Sequence, residues 1–142
     1  MLRDIDPLLS PELLYALRAM GHGDEIVIAD ANFPGSSLGP DCIRADGSSA
    51  SEMLQAVLSV TPLDTFVPDP VVTMQVVGDA EAVPEAVADF QRIIDATADN
   101  PAQIQGIERF AFYDRAAHAF AVVQTGERRL YGNIILKKGV IG

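Results

Sequence analysis

Apolar positions recur at helical spacing in three stretches of the chain, and short continuous apolar runs lie between them. Leu13, Leu14, Leu17 and Met20 form the first stripe, the pattern of one buried helix face. Ser10 stands before them as a cap, Pro11 and Glu12 suit a first turn, and Gly21 supplies a left-handed stop. A helix is therefore predicted over about residues 11–20. Met53, Leu54, Val57 and Leu58 predict a second over Ser51 to Ser59, and Val87, Phe90, Ile93 and Ile94 a third starting near Pro84.

Between the helices the pattern changes. Glu25 to Ala29 reads Glu-Ile-Val-Ile-Ala, an apolar, β-branched run suited to a strand buried on both faces and closed by Asp30. A polar loop with Pro34, Gly35, Ser36, Ser37 and Gly39 follows it. Strands are predicted over Val71 to Val77, within Gln103 to Phe110, over Phe120 to Gln124, and from Tyr131 to Leu136; a short helix is expected over Tyr113 to Ala119 and a turn at Thr125-Gly126-Glu127. Helices alternating with apolar strands predict an α/β fold, a single layered domain over residues 1–142 with a mainly parallel sheet flanked by helices.

Composition narrows the partners. A chain of 142 residues, 49% of them hydrophobic, is of one-domain size and can bury a core. With Lys+Arg 10 against Asp+Glu 20, the net charge of −10 argues against nucleic acid and against anionic membrane surfaces, but leaves a neutral polyol open. Cys42 is the only cysteine, so an intramolecular disulfide and a thiolate metal site are both excluded. The N-terminal segment lacks the basic-then-apolar pattern of a secretory signal, and no apolar run reaches the roughly 20 residues of a membrane span. A cytoplasmic location is expected.

Several residues could carry chemistry. His22 lies in Gly21-His22-Gly23-Asp24, between the first helix and first strand, where flanking glycines leave room for a ligand; it reads as an acid–base group or as a surface or capping residue. Asp30 stands at the carboxyl end of a strand, the edge where ligands collect in open α/β sheets, or is a turn residue that bonds its own backbone. Arg109 and Tyr113 frame Phe110 and Phe112, which read as core. Tyr131-Gly132-Asn133 offers a phenol, open backbone and an amide to a polyol, or marks a strand start with a bulge. Asp64 reads as a turn residue, His118 as a surface one and Cys42 as a small buried one. No metal, nucleotide or phosphate-loop pattern occurs, so no cofactor is expected.

Six segments taken together resemble the L-fucose mutarotase family: Leu9 to Leu14, Met20-Gly21-His22-Gly23-Asp24-Glu25-Ile26, Ala29 to Pro34, Ile43-Arg44-Ala45-Asp46-Gly47, Arg109 to Tyr113, and Tyr131-Gly132-Asn133 through Gly139. The resemblance runs over nearly the whole chain, with Asp79 to Ala102 its least diagnostic stretch. It implies interconversion of sugar anomers, with His22 as proton donor, Asp30, Arg109, Tyr131, Gly132 and Asn133 binding sugar, and Asp64 and Tyr113 as acid–base groups. It also implies a free monosaccharide, L-fucose, as partner, and a ring-shaped homo-oligomer, often a decamer, with sites near subunit contacts. The D-ribose pyranases share the Gly-His-x-Asp motif, the strand-end Asp and a Tyr-x-Asn segment, but Arg44 to Gly47 and Arg109 to Tyr113 resemble the fucose branch.

Overall fold

A computed structural model describes residues 1–142. Its elements are α1 (Pro11–Ala19), β1 (Glu25–Ala29), β2 (Asp41–Ala45), α2 (Ala50–Leu58), β3 (Val71–Met74), α3 (Glu85–Thr97), β4 (Gln105–Ile107), α4 (Arg109–Ala117), β5 (Ala121–Thr125) and β6 (Ile134–Lys137). The strands form one sheet in the order β2-β5-β1-β6-β3-β4. β6 runs antiparallel to both of its neighbours, β1 and β3, and all the other pairings are parallel.

Alternation along the strands divides the core into two. Ile26 and Ile28 of β1, with Val123, Ile134 and Leu136, pack under α1, α2 and α3. Val27 and Ala29, with Val72, Val122 and Ile135, face Phe112 and Ala116 of α4. Because helices cover both faces, the strands carry continuous apolar runs, as parallel strands do. Each fully buried Leu, Ile or Phe here contributes about 1.5–3 kcal/mol over leaving it in water.

Ser10 caps α1 as the sequence predicts, whereas the cap at Ser49 is not marked in the sequence reading and the left-handed glycine after α1 is Gly23, not Gly21. Ser10 accepts the Leu13 N–H at the start of α1, and Ser49 accepts the Glu52 N–H at the start of α2. Each removes an orphan amide at a helix N-terminus.

The structure corrects other expectations. β2 is not marked in the sequence reading: an edge strand that mixes exposed and half-buried residues lacks the apolar run that marks an inner strand. β3 ends at Met74, short of Val77, because the chain turns there through the Val76–Asp79 bridge with Gly78 at φ +81°. β6 begins at Ile134, not Tyr131, because Tyr131 has a φ of +60°, outside strand geometry. The last helix starts at Arg109, capped by the Glu108 side chain, so Phe110 falls on its outer face, 64% exposed, and His118 becomes its C-cap. Phe112 is core as expected, and Cys42 is half-buried.

Glu127, read from sequence as part of a turn, is a buried carboxylate. It accepts from the Ala50 N–H at the start of α2 and from the N–H and guanidinium of Arg129. Its main-chain carbonyl accepts the Ala31 N–H, just past Asp30. The Arg129 hydrogen bonds, with the Ala50 amide, outweigh burial and push the carboxyl down to about 2. A depressed carboxyl stabilises the fold above its unfolded pKa of about 4.3, and that stabilisation is lost as pH falls toward the folded value. Glu127→Gln is expected to lower unfolding free energy by about 2–3 kcal/mol at neutral pH, with the gap from wild type closing as pH falls from about 5 toward 2; denaturant titrations at several pH values check this.

Candidate functional site

Two groups of polar side chains emerge, at opposite edges of the sheet. The first lies at the carboxyl ends of the parallel strands. Asp30 follows β1, Met74 ends β3, and Arg109 opens the helix that follows β4, so the topology brings them to one edge. Asn133 joins them because β6 enters the sheet from that edge, against the direction of β1.

Asp30 and Asn133 lock each other. The Asp30 N–H donates to Asn133 Oδ1 at 2.7 Å, and Asn133 Nδ2 donates to Asp30 Oδ2 at 3.1 Å. Asp30 Oδ1 accepts the Asn32 N–H. Burial pushes the Asp30 carboxyl above its ordinary range, and these hydrogen bonds only partly offset it. The carboxyl is therefore oriented by protein but incompletely compensated, which suits it to gain further hydrogen bonds from ligand hydroxyls.

Gly132 is required by close approach: a Cβ there would stand 2.7 Å from Glu127 Cγ and 3.1 Å from the Arg129 carbonyl. Its neighbour Tyr131, in the left-handed region, sends its phenol across to accept the Val77 N–H at 3.2 Å. Arg109 and Tyr113, four residues apart on α4, face the same way. The Arg109 guanidinium lies 4.6 Å from the centre of the Phe110 ring, and Tyr113 stacks on Phe33, centroids 5.6 Å apart.

Together these residues line a cleft of about 280 Å³, with Asp30, Asn32, Arg109, Tyr113, Tyr131 and Asn133 as its polar groups and Phe33, Met74, Val77 and Leu130 as its apolar ones. A small ring compound with an apolar face and a rim of hydroxyls matches such a lining. A hollow of about 410 Å³ between α3 and the β3–β4 edge is larger. Its Gln75 and Gln91 amides are already engaged by main-chain groups.

The second group contains His22 and Asp64. His22 Nε2 lies 3.0 Å from Asp64 Oδ1. Asp64 is 5% exposed; burial raises its carboxyl pKa, but the bonds from His22 and from the Phe66 and Thr65 amides together outweigh it and hold the group below the ordinary carboxylate range. An ionised Asp64 requires His22 Nε2 to carry the proton, which leaves Nδ1 as the ring's working nitrogen. Phe66 sets its ring edge-on to the imidazole, centroids 5.0 Å apart. This is a hydrogen-bonded imidazole–carboxylate dyad with the ring nitrogen turned to Asp64.

The cleft and the dyad are not adjacent within one chain. His22 precedes β1 and Asp30 follows it, and five strand residues at about 3.3 Å each separate the two edges by roughly 16 Å. Of the residues singled out from sequence, Asp30, Arg109, Tyr113, Tyr131, Gly132 and Asn133 converge, while His22 and Asp64 pair elsewhere. Sequence reading missed Phe33, Phe66 and Glu127; nothing local marks a Phe as a platform or a turn Glu as buried. No group of three His, Cys, Asp or Glu side chains is arranged to hold a metal ion, and no helix is long and apolar enough to cross a membrane.

Comparison with known proteins gives this arrangement a context. Residues 3–141 match the model of the RbsD / FucU transport protein family. The chain is 41% identical to the fucose mutarotase of Streptococcus pneumoniae, solved in complex with L-fucose, over 99% of this chain and 100% of that one, with a TM-score of 0.92. FucU from Bifidobacterium longum is 42% identical over 99% of this chain and all of its own, with a TM-score of 0.90. Bacillus subtilis RbsD, solved with D-ribose, shares the fold at 23% identity over 100% of both chains, with a TM-score of 0.77.

The Asp30–Asn133 lock makes a testable demand. Asn133→Asp replaces a donor with a second carboxylate beside the first, and should destabilise the fold at neutral pH by about 2 kcal/mol. Because a raised carboxyl pKa disfavours the folded state as pH rises, the loss should shrink as pH is lowered toward 5, which thermal unfolding at two pH values would reveal.

Proposed function

Because this chain belongs to the RbsD / FucU transport protein family, we propose that it is a mutarotase, interconverting the α and β anomers of free L-fucose by acid–base catalysed ring opening and closure. The observation that carries this reading is the full-length likeness, at 41% identity, to the mutarotase solved with L-fucose. Ribose-type pyranose–furanose exchange is less favoured, since the likeness to RbsD is 23%.

The chemistry asks little of the protein. A base removes the proton from the anomeric hydroxyl while an acid protonates the ring oxygen; the C1–O5 bond breaks, the aldehyde face turns over, and the reverse steps reclose the ring. No electrons or atoms are exchanged. One positioned acid–base pair, each partner worth about 10², supplies roughly 5 kcal/mol, enough for a reaction that already runs in water.

In this reading Asp30, Asn133, Arg109 and the Tyr131–Gly132 backbone bind the sugar hydroxyls in the cleft. Tyr113 stands on the same cleft wall, held against Phe33. His22, with Asp64 setting its tautomer, is the proton donor. The roughly 16 Å between the edges prevents one chain from using both groups on one sugar, so the His22–Asp64 dyad of one subunit completes the cleft of its neighbour. The exposed Leu130, Val77 and Phe110 beside the cleft are apolar surface for such a neighbour to cover. The assembly is a ring-shaped homo-oligomer, a decamer, in the cytoplasm.

Saturation-transfer NMR on equilibrated L-fucose tests the activity: exchange between the α and β anomeric protons should exceed the protein-free rate, drop by about 10² or more in His22→Ala, and be faster than with D-ribose. Exchange at the protein-free rate with both sugars would sink the reading. Mixing tests the shared site. His22→Ala and Arg109→Ala subunits, each impaired alone, should regain exchange when refolded together, because some contacts then join an intact dyad to an intact cleft. No recovery in demonstrably mixed oligomers would place the whole site within one subunit.

A further inference from the structure

We infer that Lys138 is a positioning residue for catalysis, a clasp that aims His22 at Asp64. The inference rests on the assignment of His22 as proton donor. His22 sits in a four-residue turn, Gly21 to Asp24, with Gly23 at φ +87°; Phe66 packs edge-on to its ring and Asp24 Oδ2 accepts the Gly21 N–H, but the direction of the turn's backbone is set from outside it. Lys138 binds it on both sides. Its Nζ donates to the Leu17 carbonyl at 2.7 Å and to the Met20 carbonyl at 2.6 Å, on the chain entering the turn. Its main-chain carbonyl accepts the Gly23 N–H at 2.8 Å, and its N–H donates to the Asp24 carbonyl at 2.8 Å, on the chain leaving it.

The same segment holds the other half of the dyad. The Asp64 N–H donates to the Lys137 carbonyl at 3.1 Å, the Gly139 N–H to the Pro62 carbonyl at 2.9 Å, and Leu63 bridges Lys138. Gly139 permits the approach, since a Cβ there would lie 2.4 Å from the Leu63 carbonyl. Residues 137–139 are thus the one stretch of backbone that touches both the His22 turn and the Asp64 turn, and only the Lys138 ammonium reaches the end of α1.

The choice of a lysine has a physical cause. The last carbonyls of a helix lack amide partners and carry partial negative charge. A cation on a long stem satisfies two of them at once. Replacing it removes two hydrogen bonds at the root of the turn while leaving both dyad side chains intact, so the expected defect is in aim.

Lys138→Met keeps the stem and removes the cation. It is expected to lower kcat for anomer exchange about tenfold or more with KM within about twofold, since a misplacement of about 1 Å costs that much, and Lys138→Arg should recover part of it. A second readout does not require activity: the ¹⁵N–¹H correlations of the His22 ring report the Nε2 bond to Asp64, and they should move in Lys138→Met while amides of β1 and β5 stay in place. If the ring correlations and kcat both match wild type, or kcat falls with the ring unmoved, the inference is overturned. If wild type itself shows no exchange, the functional reading fails, and the ring correlations alone still decide whether Lys138 sets the His22 geometry.

Discussion

The antiparallel pairing of β6 with β1 is the constraint on which both polar clusters depend. Ile28 lies opposite Ile134 and Glu25 opposite Lys137, so the residue before β6 must stand beside the residue after β1, and the residues after β6 beside those before β1. Asn133 therefore meets Asp30 at one edge, and Lys138 meets Gly23 at the other. Had β6 run parallel, as every other strand does relative to β1, both pairs would be at the wrong ends. A register slip of one residue would turn Ile135 to the other face and break the division of the core as well.

Three buried carboxylates show how surroundings assign different roles to one functional group. Glu127 has a guanidinium and a helix-terminal amide, so it remains ionised far into acid and serves as a structural anchor. Asp64 has an imidazole and two amides, enough to keep it ionised and to fix the ring it faces. Asp30 has amides but no cation, and burial leaves it the least compensated of the three. Only the last has hydrogen-bonding capacity directed into a cleft. That ordering, from fully paired to under-paired, runs from the interior of the scaffold to the cleft wall.

A reaction this undemanding explains why the chain can be short. No cofactor pocket or closing domain is needed when one proton is taken and one given. What the sheet must supply is orientation, and it holds one polar group at each of its two edges.

Much of this was legible in the sequence because it is local. Helical stripes with their caps, apolar runs for strands covered on both faces, and Gly-His-Gly or Tyr-Gly-Asn punctuation each depend on a few adjacent residues, and the elements and most cleft residues follow from them. The half-exposed β2, the left-handed Tyr131 and the outward Phe110 escaped, because edge position and backbone sign leave no periodic mark. The partners of single polar residues were decided only by the fold. Glu127 reads as a turn residue until an amide 77 positions away caps itself on it, and Asp64 reads as one until His22, 42 positions away, turns its ring nitrogen to it. The free energy of a buried charge is set by partners that only the tertiary structure brings within hydrogen-bonding distance.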